Sequence, residues 1–119
     1  MFNKQFKLLT MAAMVFSLFA AAGHLHAGET KTFQIKAKNY EFQPGVINVK
    51  QGDRVVLEIT STEGHHGFGI EALNINEDLP QGKTVKVEFV ADKKGEFTIK
   101  CTVFCGWGHS NMKAKLVVS

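Results

Sequence analysis

Downstream of Ala27, every cysteine, histidine and methionine falls in one of two short stretches. The later one, Cys101-Thr102-Val103-Phe104-Cys105-Gly106-Trp107-Gly108-His109-Ser110-Asn111-Met112, holds both cysteines, one imidazole and the thioether within twelve residues. The earlier one, Gly64-His65-His66-Gly67-Phe68, holds the other two imidazoles. Structural histidines and methionines scattered through a core would not collect in this way. Soft sulfur and imidazole donors favour copper, and thiolate, imidazole and thioether together form the ordinary environment of an electron-transfer copper. The fold must therefore bring two loops together and hold them rigidly.

The rest of the chain reads as a frame of that kind. Phe33, Ile35 and Ala37 alternate with mostly polar neighbours from Lys31 onward, which predicts a half-buried strand. The alternation carries on through Asn39-Tyr40-Glu41-Phe42 to a turn at Pro44-Gly45. Further strands are expected over 46–50, 54–61, 84–90 and 113–119, with another running from Gly95 to Cys101. Their inward residues are Val55, Leu57 and Ile59; Val85, Val87 and Phe89; Phe97, Ile99 and Cys101; and Ala114, Leu116 and Val118. Between Phe68 and Gly82 the pattern weakens. A strand is expected around Phe68–Ile70, then a surface excursion through Asn74–Asp78 to Pro80 with room for a helical turn. Short alternating strands divided by Gly and Pro turns predict an all-β, antiparallel Greek-key sandwich of one domain over 28–119, without a long helix. There is no internal repeat or low-complexity segment.

The first 27 residues do not belong to that pattern. Lys4 and Lys7 precede an apolar or small run from Leu8 to Gly23, interrupted only by Thr10 and Ser17. Leu25-His26-Ala27 ends in a small residue, so a secretory signal peptide over 1–27 is expected, with Ala22 as an alternative cleavage point and an uncleaved anchor as an alternative fate. The expected location is the periplasm or another extracytoplasmic space. Removing two lysines changes 14 basic and 11 acidic residues to 12 and 11, a net charge near +1. That excludes the strongly basic face a nucleic-acid partner wants. No Ser–His–Asp arrangement, acid–base pair or phosphate loop points to an enzyme.

The ligand spacing admits several metals. Cys105, His66, His109 and Met112 suffice for one copper, but that account leaves Cys101 idle. A second thiolate four residues earlier favours two coppers bridged by both sulfurs, each with one imidazole and space for one weak axial donor. Met112 can be one such donor and a backbone oxygen of the loop the other. A Cys101–Cys105 disulfide and a tetrahedral zinc site are the competing readings. His65 competes with His66, although successive residues of a strand face opposite ways. Glu63 is a candidate partner for an imidazole, and Phe104 and Trp107 for an apolar surround or docking patch.

With these residues in view, the sequence resembles the binuclear copper domain, CuA, of cytochrome c oxidase subunit II and nitrous-oxide reductase. The pattern Cys-x3-Cys-x3-His-x2-Met matches at Cys101, Cys105, His109 and Met112, and His66-Gly67-Phe68 resembles the earlier ligand segment. The likeness covers roughly residues 31–119. It implies a cupredoxin-like fold with two coppers in a mixed-valence centre. Cys101 and Cys105 would bridge them, His66 and His109 would bind one each, and Met112 and the Val103 carbonyl would be axial. It also implies one-electron transfer with redox partners, such as a c-type cytochrome or a terminal reductase or oxidase, and a copper-delivery protein. The sequence departs from oxidase subunit II in lacking its paired membrane helices, and from nitrous-oxide reductase in lacking its large catalytic domain. A mononuclear electron carrier and a copper chaperone or storage protein are the alternatives.

Overall fold

Alternating apolar residues and β-branched side chains build nine strands over the residues described by the computed structural model, 28–119. The signal peptide expected over 1–27 lies outside the described residues. The strands are β1 (Thr30–Lys38), β2 (Glu41–Gln43), β3 (Val46–Val49), β4 (Arg54–Ser61), β5 (His66–Ile70), β6 (Ile75–Leu79), β7 (Thr84–Val90), β8 (Gly95–Lys100) and β9 (Lys113–Val118). They form a four-stranded sheet, β2-β1-β4-β7, facing a five-stranded sheet, β3-β9-β8-β5-β6. This is the expected all-β sandwich, mostly antiparallel. Two ladders are parallel, β1 with β4 and β3 with β9.

The core lies where the two inner faces meet. Strand β4 sits between β1 and β7, with Leu57 opposite Phe33 on one side and Val87 on the other. Val55, Leu57 and Ile59 are buried completely, and Ile35 and Ala37 extend their layer. Ile47, Phe68, Ile70, Ile99 and Leu116 answer from the second sheet. Complete burial of each large apolar side chain contributes roughly 1.5–3 kcal/mol. Phe42 of β2 meets Phe68 of β5 edge to face, centroids 5.7 Å apart, and so ties an edge of one sheet to the other.

Three local expectations are revised. The excursion through Asn74–Asp78 is the strand β6, paired antiparallel with β5 from His66↔Leu79 to Ile70↔Ile75. Only Leu79 in it is fully buried, so its backbone ladder rather than an apolar face defines it. The helical turn expected in that excursion lies before it instead, as a 3-10 turn at Glu71–Leu73 closed by Asn74 at φ 58°, a left-handed conformation asparagine tolerates. The alternation expected through Asn39-Tyr40 breaks there, and the chain folds back as β2 against β1. No helix among the described residues is long and apolar enough to cross a membrane.

At the end of the sandwich near Asp53, one buried carboxylate joins the β3–β4 turn to the start of β1. Its oxygens accept the Lys50 N–H at 2.8 Å and the Glu29 N–H at 3.2 Å, and Lys31 Nζ lies 2.9 Å away. The Lys50 N–H, then the Lys31 ammonium, hold the Asp53 carboxyl below the ordinary carboxylate range. A depressed folded-state pKa stabilises the fold above the unfolded pKa, about 3.9 for Asp, and that contribution is lost as pH falls through the folded value. Asp53→Asn is therefore expected to lower the melting temperature at neutral pH. The gap from wild type should narrow at pH values below about 4, the unfolded carboxylate range, in thermal unfolding followed by circular dichroism across a pH series.

Candidate metal centre

Strands β5 and β8 are neighbours, with Gly69 opposite Lys100. That register brings His66, the first residue of β5, beside Cys101, the first residue after β8. Close approach needs missing side chains on β5. A Cβ on Gly67 would stand 2.9 Å from the Val103 nitrogen and 3.0 Å from its Cγ2, and one on Gly69 would run into the Thr102 methyl. Without them the cysteine loop lies directly on the strand. The Thr102 hydroxyl donates to Asn76 Oδ1 of β6 at 2.7 Å, and the Cys101 N–H donates to the Met112 carbonyl at 3.1 Å, closing the loop at its base.

The result is a cluster of donor atoms. Cys101 Sγ and Cys105 Sγ are 3.3 Å apart. His66 Nδ1 is 3.9 Å from Cys101 Sγ, and His109 Nδ1 is 3.6 Å from Cys105 Sγ. Met112 Sδ stands 3.9 Å from Cys105 Sγ, and the Val103 carbonyl oxygen 3.1 Å from Cys101 Sγ. His66 and Met112 are fully buried, Cys101 nearly so, while Cys105 and His109 are half-buried. The side-chain donors of His66, Cys101 and Cys105 all lie within 4.8 Å of one another.

Both imidazoles present Nδ1 to sulfur. For His66 the reason is visible: its Nε2 is 2.6 Å from the Glu63 carbonyl, so Nε2–H donates there and Nδ1 keeps a lone pair for the sulfur side. The Ser61 hydroxyl, buried beneath this turn, donates to the Gly64 carbonyl and fixes the turn in place. Glu63 thus meets the imidazole through its main chain. Its carboxylate instead accepts the Asn39 N–H at 3.1 Å. His65 points the other way, exposed, with Nε2 2.7 Å from Asp78 Oδ1.

Both cysteines are free thiols. Burial first, then the neighbouring Cys101 thiol, pushes Cys105 up to about 11, so it is neutral at neutral pH. A cation taking the place of the thiol proton relieves that cost. The spacing suits one: two ligands at 2.0–2.3 Å from a tetrahedral ion lie about 3.5 Å apart. With two sulfurs, two imidazole nitrogens, a thioether and a carbonyl, the donor set fits soft transition metals, copper foremost. Phe104 and Trp107 cover no part of the core. They are 69% and 95% exposed and meet edge to face on the outer side of the loop.

A family model described as a cupredoxin-like domain matches residues 9–118. The chain is 38% identical over 87 residues to cytochrome c oxidase subunit 2 of Thermus thermophilus, covering 73% of this chain and 64% of that protein. It is 33% identical over 101 residues to nitrous-oxide reductase of Cupriavidus necator, covering 82% of this chain and 16% of that protein. It thus spans less than two thirds of these curated relatives. The periplasmic domain of cytochrome oxidase subunit II from Bradyrhizobium japonicum superimposes with a TM-score of 0.68 at 19% identity, covering 74% of this chain and 83% of that one. Auracyanin A, a blue copper protein from Chloroflexus aurantiacus, gives 0.62 at 22% identity, covering 76% and 99%. These two likenesses concern the fold.

The glycine contact is open to a direct test. Gly67→Ala overpacks the strand against the Val103 backbone and is expected to cost about 1–3 kcal/mol in urea unfolding. Gly45→Ala, where a Cβ meets nothing within 4 Å, serves as the control and should stay near wild type.

Proposed function

This chain belongs to the cupredoxin-like family, and we propose that it is an extracytoplasmic one-electron carrier with a thiolate-bridged pair of coppers. One observation carries the reading: the two sulfurs stand side by side, and each has its own imidazole nitrogen, His66 for Cys101 and His109 for Cys105. A single-metal site would use Cys105, His66, His109 and Met112 and give Cys101 no task. Cys101 and Cys105 would bridge, His66 and His109 would each hold one ion, and Met112 and the Val103 carbonyl would be the weak axial donors. Such a centre, when bound, supplies reversible one-electron transfer with the change in charge shared between two metals.

The chain's own residues do the rest. The sandwich holds both loops at one end, so little rearranges when charge changes. The Glu63 carbonyl fixes the His66 ring. Full burial of His66 and Met112 keeps water from the inner side, and half-exposed His109 leaves an outer side for electrons to enter or leave. Relatives named as a cytochrome c oxidase subunit and a nitrous-oxide reductase support a role beside a terminal oxidase or reductase, with a c-type cytochrome as a redox partner and a delivery protein as the copper source. Residues 1–27 serve in this reading as the secretory leader, and 28–119 as the carrier domain.

Copper analysis paired with electron paramagnetic resonance tests the proposal. Two coppers per chain and seven hyperfine lines are expected from the oxidised protein, because the unpaired electron is shared by two equivalent nuclei. Cys101→Ser should abolish that pattern. One copper and four lines in fully loaded wild type would replace this reading with a mononuclear carrier. Copper lost to a chelator on each redox cycle would instead favour a delivery or storage role.

A further inference from the structure

The turn between β1 and β2 supplies no metal donor, yet it touches both loops of the centre. On one side the Asn39 N–H donates to Glu63 Oε1 at 3.1 Å, and the carbonyl of that same Glu63 holds the His66 ring. On the other side the Tyr40 ring lies against the backbone of Gly106 and Gly108, which flank Trp107 between Cys105 and His109. A Cβ on Gly106 would stand 3.0 Å from Tyr40 Cζ and 3.1 Å from Cε1. One on Gly108 would stand 2.9 Å from Tyr40 Cβ and nearer still to Cγ and Cδ2.

The two glycines have different reasons for being glycine. Gly106 has φ +131°, which other residues rarely adopt. Gly108 has φ −91° and ψ 6°, open to any residue. The three atoms nearest to a Cβ there all belong to Tyr40. The Phe104 ring also lies 5.5 Å from that of His109, but Phe104 and Trp107 both project outward and do not tie the loop to the sandwich. Its internal bonds, His109 N–H to the Gly106 carbonyl and Asn111 N–H to the Gly108 carbonyl, both at 3.1 Å, run through the very residues the ring covers.

We propose that Tyr40 is a positioning residue for the metal centre: its ring clamps the Gly106–Gly108 backbone and so sets His109 against Cys105. As a statement about copper this rests on the functional reading above. As a statement about the loop it does not, and the two are tested separately.

In metal-free protein, amide hydrogen exchange reads the loop. Tyr40→Ala is expected to speed exchange at His109, Asn111 and Met112 about tenfold or more by local opening, with β9 amides such as Leu116 unchanged. Tyr40→Phe keeps the ring and should behave as wild type. In copper-loaded protein, Tyr40→Ala should release copper to a chelator faster and alter the visible absorption and hyperfine splitting, and Tyr40→Phe should restore both. Wild-type exchange at the loop in Tyr40→Ala would overturn the proposal, as would equal acceleration in the loop and in β9, which marks general destabilisation. Should Tyr40→Ala fail to fold, Gly108→Ala attacks the same contact from the loop side. Loop-specific acceleration is expected from it, and unchanged exchange would overturn the clamp. Absence of the seven-line signal from wild type itself would reject the two-copper reading while the exchange data still decide the role of Tyr40.

Discussion

The metal end of this molecule depends on a steric allowance, the absence of side chains at Gly67 and Gly69. Attraction between donors cannot assemble the cluster, since metal-free thiols and imidazoles at these distances gain little from one another. What places them is the close approach of β5 to the loop that follows β8, with Val103 and Thr102 resting where Cβ atoms would otherwise stand. The Gly67 N–H points at Cys101 Sγ from 3.5 Å, so the same approach also supplies a donor to the sulfur. The frame around this contact has no such freedom. Leu57, Ile59, Phe68 and Leu116 are all fully buried, and a packed interior transmits displacement instead of absorbing it.

Much of the frame was legible because its strands have one wet and one dry face. The limits of β4 and β7 follow from alternation alone, and the opposite orientations of His65 and His66 follow from the same periodicity. Strand β6 was not legible, since Ile75-Asn76-Glu77-Asp78-Leu79 has a polar centre and takes its shape from backbone pairing with β5. Nor does a period of two reveal strand direction, which is why the parallel β1–β4 and β3–β9 ladders stayed hidden. At the site, the sequence displays the residues that carry reactive side chains. It does not display the Glu63 carbonyl, because a main-chain acceptor leaves no mark in residue identity. The Tyr40 ring was missed for a related reason: its contact is with backbone glycines far along the chain, and Gly108 reads as an ordinary loop glycine until its φ is known.

The polar groups sunk at this end are each matched. Ser61 and His66 are completely buried, and each donates to a carbonyl of the 63–64 turn. A buried donor left unpaired costs about 1–3 kcal/mol, so the turn is held by the same bonds that orient the ring. The one mismatch is at Cys105, where burial works against the thiolate. That group becomes comfortable as an anion only with a cation beside it, which makes the metal-free and loaded states electrostatically distinct at this sulfur.

Trp107 is the only tryptophan in the chain, and it stands almost wholly in water on the ligand loop, edge-on to Phe104 at 6.4 Å. Its fluorescence is therefore that of a solvated indole even in the native fold, and unfolding the sandwich changes its surroundings little. A bound redox metal a few residues away is an efficient quencher. The intrinsic emission of this protein is consequently expected to report occupancy of the loop and to be nearly silent about the core, the reverse of what a lone tryptophan does when it sits inside a β-sandwich.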